Sequence, residues 1–429
     1  MSSAEDIGGA LPLDAEAVAR ALGGEVRQER SGAFIQVDRT WDATDFHGSR
    51  RVSSFAIARD APVGLFDPRL AEVADWPRRP VFFDIETTGL SGGAGTVAFL
   101  VGCGWFEDDG FRVRQFLLTG PASEPAMLDA LGELFDEASL LVTYNGRTFD
   151  VPTMETRWAF HRRPSPADEL PHFDMLPAAR RLWGRRAPRG AGASSGLRDG
   201  GGSGGDEAGC SLTALERSVL RFHRVGDVPG FEIPVRYFQF LRTGHAEAVR
   251  GVLEHNQYDL VSLAAVTAHA LQMAADGPET CREAIEQGGL GRLYERAGDL
   301  ARAERAFVLA AESDDVEVAA HALARLGVLW RRAGRHGEAA GAWQRVLRLA
   351  ERRLWLRPLA RRAAEALAIH HEHRAGDPDT ARGYAEALRR DASGRAAEDA
   401  RHRLARLDRK IKSAGDTKGG PSAAQLFES

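Results

Sequence analysis

The sequence predicts an α/β domain, a mixed five-stranded sheet with flanking helices, followed by an all-α domain of helical repeats. Three observations carry this expectation. Between residues 81 and 175, apolar and alternating runs read as strands separated by helical periods, in the order βββαβαβα. A Gly-, Ser- and Arg-rich stretch over 185–209 interrupts this pattern, and helical signals resume after it. From Leu290 a different period sets in and recurs 36 residues later.

The totals agree. A chain of 429 residues has room for two or three domains, and 43% apolar with 27% charged residues is ordinary for a globular protein. No apolar run approaches the roughly 20 residues that span a bilayer. The first residues, Met1-Ser-Ser-Ala-Glu-Asp6, lack the basic and apolar regions of a signal peptide, so a cytoplasmic protein with no membrane partner is expected. Cys103, Cys210 and Cys281 are too far apart for a zinc motif, and their odd number argues against a disulfide framework. The net charge of −5 excludes a uniformly basic nucleic-acid binder, but its distribution is uneven. Residues 1–270 carry −9 and residues 325–429 carry +10.

Residues 1–80 read as an N-terminal extension packed on the main domain. It has a short helix capped by Asp14 and strands at Ala33–Val37 and Ser53–Ala58. The main domain is expected over 81–275. It opens with the strand Val81-Phe-Phe-Asp-Ile-Glu-Thr-Thr-Gly-Leu90, and a glycine-rich turn follows at Ser91–Thr96. That turn has neither the lysine nor the following helix of a phosphate-binding loop, so it reads as a hairpin connection. Strands at Thr96–Phe106 and Phe111–Leu118 complete a meander. Helices are expected at Glu124–Glu137 and Asp150–Arg162, and strands at Ser139–Tyr144 and His172–Met175. A helix with Arg180, Arg181 and Trp183 follows. Ser211 is the N-cap of the next, and the last helix runs from about His245 to Met273.

Residues i and i+2 of a strand share a face, so Asp84 and Glu86 point the same way while Phe83 and Ile85 enter the opposite layer. Two like charges side by side repel unless a cation lies between them, and hard oxygen donors suit Mg²⁺ or Mn²⁺. Surface carboxylates on an edge strand are the competing reading. Asp150 falls at a strand-to-helix junction after Asn145, facing the end of the Asp84 strand. His255 and Asp259, at i and i+4, share one helix face. Four carboxylates from three stretches would hold two ions about 4 Å apart, the arrangement that clamps both oxygens of a phosphodiester under attack. His255 is the candidate to take or steer the proton of an attacking water.

In these motifs the chain resembles the YprB-type ribonuclease H-like proteins of the DEDD superfamily of 3′→5′ exonucleases. The first motif is Asp84-Ile-Glu86-Thr-Thr-Gly89, the second runs from Asn145 to Asp150, and the third ends at Asp259. The resemblance covers about 81–273. It implies a metal-dependent hydrolase cutting from the 3′ end of DNA or RNA. In the third motif His255 stands four residues before Asp259, where the polymerase-type branch carries Tyr. Its role as base, water-orienting group or substrate contact stays open.

Thr88 and Leu90 are candidates to meet the terminal nucleotide, and Asn145 its sugar or phosphate. Asp174 reads equally as a structural hydrogen-bond acceptor. Phe149, Trp158 and Trp183 are candidates for base stacking. Leu290-Gly291, Tyr294, Gly298, Ala303, Phe307 and Ala310 match tetratricopeptide spacing. Leu326-Gly327, Trp330, Gly334, Ala339, Trp343 and Val346 repeat it, and Leu367-Ala368, His371, Gly376 and Ala381 form a looser third copy. The repeats, expected over 276–410 with a disordered tail at 411–429, are candidates to bind a protein or a nucleic-acid backbone. His370, His371 and His373 are expected at the surface. The alternative to an enzyme is a non-catalytic scaffold for nucleic acid or protein.

Overall fold

The computed structural model describes residues 14–58, 60–71, 79–89, 95–107, 110–184, 209–390 and 394–418. The expected insertion lies outside the described residues apart from Gly209. So do Leu90 and most of the glycine-rich turn. The chain forms two compact units that meet in sequence after Asp276.

Among the described residues the main sheet of the first unit has seven strands, and a two-stranded ladder pairs Phe46–His47 with Arg50–Arg51. The strands of the main sheet are β1 (Glu25–Glu29), β2 (Gly32–Asp42), β3 (Pro80–Thr87), β4 (Ala98–Glu107), β5 (Gly110–Leu117), β6 (Leu140–Thr143) and β7 (His172–Asp174). They lie side by side in the order β1-β2-β5-β4-β3-β6-β7. The pairs from β1 to β3 are antiparallel, and β3–β6 and β6–β7 are parallel. The sheet is therefore mixed, but it has two strands more than expected, both from the N-terminal extension.

The reason is chemical. Only the start of β2 is apolar. Its continuation through Asp38 is stabilised from the neighbouring strand, where Arg114 donates from Nε and Nη2 to Asp38 at 2.9 and 2.7 Å. A cross-strand ion pair leaves no apolar alternation to read. The expected strand at Ser53–Ala58 is instead a 3₁₀ turn over Val52–Phe55. Its buried residues, Val52 and Phe55, are three apart, a helical rather than a strand period.

The longer helices of this unit are α1 (Ala15–Leu22), α2 (Glu124–Asp136), α3 (Asp150–Phe160), α4 (Met175–Leu182), α5 (Ile233–Thr243) and α6 (Glu247–Asp276), with single helical turns at Val63–Phe66 and Leu212–Leu215. Asp14 and Ser211 cap as expected, accepting from the amides of Ala17 and Ala214 at 3.0 and 3.2 Å. Val81, Phe83 and Ile85 join one core layer with Leu131, Phe135 and Trp158. Phe82 faces the other way, against Phe106 and Phe111. This alternation leaves Asp84 and Glu86 on the face that α6 approaches.

Gly102 makes that approach feasible. It sits opposite Asp84 in β4. A Cβ there would lie 2.2 Å from Asn256 Oδ1 and 2.7 Å from Leu260 Cδ1, both on α6. The missing side chain lets the helix rest against the strand backbone.

The second unit is all-α. It comprises α7 (Ala284–Ala297), α8 (Leu300–Ala311), α9 (Val316–Arg332), α10 (His336–Ala350), α11 (Arg357–His373), α12 (Pro378–Arg390) and α13 (Arg395–Lys418). Gly298, Gly334 and Gly376 recur in the turns after α7, α9 and α11 with φ of +83°, +77° and +65°, a conformation that favours glycine. Gly291 and Gly327 each lie under an aromatic ring of the following helix. A Cβ would fall 2.5 Å from Phe307 and from Trp343, respectively. In the third pair Ala368 and Tyr384 hold the same spacing, and His371 stacks on Tyr384 with ring centres 5.7 Å apart.

His373 is exposed as expected, whereas His370 and His371 are half-buried. Glu372 accepts from Arg406 Nε at 2.6 Å and Lys410 Nζ at 3.0 Å, which ties α11 to α13. The last helix continues to Lys418, so the first residues of the expected tail are helical. Residues 419–429 lie outside the described residues. Cys103 and Cys210 are buried, and Cys281 is half-buried. Among the described residues no helix is long and apolar enough to cross a membrane.

Candidate active site

The site forms where β3 meets α6. One ligand atom each from Glu86, His255 and Asp259 lies within 4.8 Å of the others. His255 Nε2 is 3.2 Å from Asp259 Oδ2 and 3.9 Å from Glu86 Oε1. Asp84 and Asp150 stand beside this group rather than in it. Their charges reach it: Asp259, Asp150 and Glu86 all act on Asp84.

Asp84 is fixed by its surroundings. Asn256 Nδ2 donates to Asp84 Oδ2 at 2.8 Å, and Gln115 Nε2 donates to Asn256 Oδ1 at 2.8 Å. Asn256 and Gln115 are fully buried. Asp150, the first residue of α3, is also buried, and its own amide and that of Ile85 favour its charged form.

Burial and crowding shape the charges. Burial, then Asp259, Asp150 and Glu86, hold Asp84 well above the usual carboxylate range. Burial lifts Glu86 to about 8 against the pull of His255, and burial lifts Asp150 to about 7. Asp259 goes the other way. Burial would raise it, but the His255 bond and the Arg224 charge keep it below its ordinary value. Burial also opposes charge on His255. The bond and charge of Asp259, with Glu86 and Asp227, still carry it up to about 10. The imidazole is therefore cationic at neutral pH, with Nδ1 donating to Asp227 Oδ1 at 2.7 Å.

Other candidate side chains are engaged within the fold. Thr88 closes the hairpin, its Oγ1 accepting from the Val97 amide at 3.1 Å. Asn145 is exposed with φ +68°, and its Oδ1 accepts from Thr148 Oγ1 at 2.8 Å, so it shapes the turn before α3. Asp174 is a structural acceptor. It takes bonds from the amides of Asn145, Arg147 and Leu176 at 2.8, 3.2 and 3.0 Å. Trp158 and Trp183 are buried, so neither offers an open ring face to a base, and Phe149 is half-buried. The exposed aromatics nearest in sequence to Asp227 are Phe231 and Phe238, on and just before α5.

Four participants were missed. Arg224 donates from Nη2 to Asp259 Oδ1 and from Nε to Glu216 at 2.9 Å. Asp227 holds His255, Asn256 holds Asp84, and Glu216 anchors Arg224. Asn256 could have been found, since it lies on the helix between His255 and Asp259. Arg224 follows a π-turn over Glu216–Leu220 and carries no periodic signal.

Comparison with known proteins agrees with this geometry. The sequence profile of the RNase H superfamily matches residues 81–271. A protein of Bacillus subtilis (strain 168), the uncharacterized protein YprB, is 31% identical over 341 residues, which cover 77% of this chain and 75% of that protein. The chain belongs to the family that YprB represents, and its residues 81–271 form an RNase H superfamily domain.

Proposed function

We propose that the protein is a metal-dependent nuclease of the DEDD type, a cytoplasmic 3′→5′ exonuclease acting on DNA or RNA. The catalytic domain would span 81–275. The helical repeats, of tetratricopeptide type, would recruit a protein or nucleic-acid partner. The observation that supports this best is the gathering of Glu86, His255 and Asp259, with Asp84 and Asp150 alongside, on an RNase H superfamily scaffold.

The donor set fits a hard divalent cation. Buried carboxylates that hold one another's protons on are short of positive charge, and oxygen donors suit Mg²⁺ or Mn²⁺. Asp84, Glu86, Asp150 and Asp259 would hold two ions. Such ions stabilise developing phosphoryl charge and acidify bound water. The chain's own groups set the frame for this. Asn256 orients Asp84, Arg224 orients Asp259, and Asp227 fixes the His255 ring. His255 Nε2 is thereby aimed at Asp259 and Glu86. There it holds a proton within reach of an attacking water or a leaving oxygen.

A non-catalytic scaffold is the second reading. One observation favours it: Arg224 and His255 already offset part of the acidic charge without an ion.

The deciding experiment incubates 3′- and 5′-labelled single strands of DNA and RNA with Mg²⁺ or Mn²⁺. Stepwise shortening from the 3′ end is expected, and an intact strand under every condition would leave the scaffold. Metal linkage gives a second expected result. At a hundredfold excess of Mn²⁺ over its Kd, the fold should gain about 2.7 kcal/mol.

That gain should grow with pH. Glu86 and Asp150 lose their protons near 8 and 7 in the folded chain, above their ordinary values of 4.5 and 3.8. The metal-free fold thus binds more protons than the unfolded chain, and its stability declines as pH rises through 7 and 8. The same deprotonation removes competition for the cation. Melting temperatures with and without Mn²⁺ from pH 6 to 8.5 check this, and a gain that shrinks with pH would contradict it.

A further inference from the structure

The strongest unassigned feature is the buried cation beside Asp259. The Arg224 side chain is 5% exposed and that of its partner Glu216 is 2% exposed. Arg224 Nε donates to both Glu216 oxygens, at 3.2 and 2.9 Å, and Nη2 bridges Glu216 Oε1 and Asp259 Oδ1. Nη1 reaches Asp227 Oδ2 at 3.3 Å. Asp259 Oδ1 is thereby occupied, and Oδ2 is the oxygen left facing His255 Nε2.

The bonds continue away from the site. Ser262 lies close enough to Glu216 to favour its charged form, and His47 Nε2 lies 2.7 Å from Ser262 Oγ. His47 is buried between Phe222 and Tyr258, with ring centres 4.0 and 6.4 Å away. Next to it the Ser49 amide donates to the Leu220 carbonyl at 2.7 Å. At Gly48 a Cβ would fall 2.2 Å from that oxygen. The turn at His47–Arg50 thus clamps the segment that delivers Arg224. His47 lies outside the stretch 81–271 that matches the superfamily profile.

We propose that Arg224 is a positioning residue for Asp259, held in place by a buried relay, Glu216–Ser262–His47, that makes the N-terminal extension a working part of the metal site. The planar guanidinium is essential. It bridges two carboxylates in fixed directions, which the point charge of a lysine does not reproduce. Glu216 anchors Arg224, so the arginine orients Asp259 instead of leaving to admit the cation.

This inference rests on the proposed metal site, so its test reads metal binding and folding before activity. Mn²⁺ affinity of the full chain is measured by calorimetry and electron paramagnetic resonance without nucleic acid, and the fold by thermal melting. Arg224→Lys keeps the charge opposite Glu216 and should stay folded. It should lose about tenfold or more in Mn²⁺ affinity, the usual effect of removing a group that orients a metal ligand. His47→Ala should lose affinity in the same direction. His47→Gln, whose amide can still donate to Ser262, should restore it.

Unchanged affinity in folded Arg224→Lys would reduce the arginine to a counter-charge and overturn the proposal. Higher affinity would make it a competitor of the metal and overturn it equally. Absence of Mn²⁺ binding by the unaltered chain would instead sink the metal-dependent reading itself.

Discussion

Replacing Asp84 and Asp259 together by asparagine should lower the rate of 3′-end shortening by more than about a thousandfold, equivalent to about 4 kcal/mol of transition-state stabilisation. The amides keep the shape of the carboxylates but remove two of the four negative charges expected to hold the ions. The two single variants should part company in stability. Asp84 is held toward its neutral form by burial and by Asp259, Asp150 and Glu86. Asp84→Asn removes that conflict and should raise the melting temperature of the metal-free protein. Asp259 instead carries the bonds of His255 and Arg224. Asp259→Asn breaks charge-assisted contacts and should lower it, by an amount comparable to a lost hydrogen bond to a charged group, about 2 kcal/mol. Initial rates on end-labelled strands and metal-free melting curves provide the check. Equal degradation by the double variant would trace the activity to a contaminant.

Gly102→Ala should cost about 2 kcal/mol of stability and weaken Mn²⁺ binding about tenfold, although glycine carries no chemistry. The added methyl would start 2.2 Å from Asn256 Oδ1 and 2.7 Å from Leu260 Cδ1. Either α6 moves off the sheet or Asn256 swings aside. In both cases Asp84 loses the bond from Asn256 Nδ2, and α6 carries His255 and Asp259 with it. Asn256→Ala separates the two effects. It removes the same bond without the clash, so Gly102→Ala added to it should cost less than Gly102→Ala alone. Urea unfolding and Mn²⁺ titration of the three variants test this. Full stability in Gly102→Ala would mean that α6 is not seated by close approach to β4.

Much of the frame was legible in the chain. Period-two alternation set Asp84 and Glu86 on one face of β3 and sent Phe83 and Ile85 into the core, where the structure finds them buried. The i, i+4 spacing brought His255 and Asp259 to one face of α6. The repeated Gly-to-aromatic spacing of the second unit reappears as Gly291 under Phe307 and Gly327 under Trp343. Each of these is a local rule in which side-chain direction follows from position along a regular backbone.

What escaped is what no local period encodes. β2 beyond Val37 pairs through Asp38 and Arg114, 76 residues apart in sequence. Arg224 reaches Asp259 by way of an irregular turn, and Gly102 matters only because α6 crosses it. The charge on His255 follows from Asp227 and Asp259 together, not from the imidazole alone.

The sequence by itself thus determined the order of the elements from β3 to α4, the faces of β3 and α6 that bear acidic groups, and the helical repeat. Tertiary structure alone decided how those groups are charged, which cation orients Asp259, and how near α6 comes to the sheet. Side-chain direction is a property of the backbone's own geometry, whereas desolvation, ion pairing and steric clearance depend on atoms that only folding brings within a few ångströms.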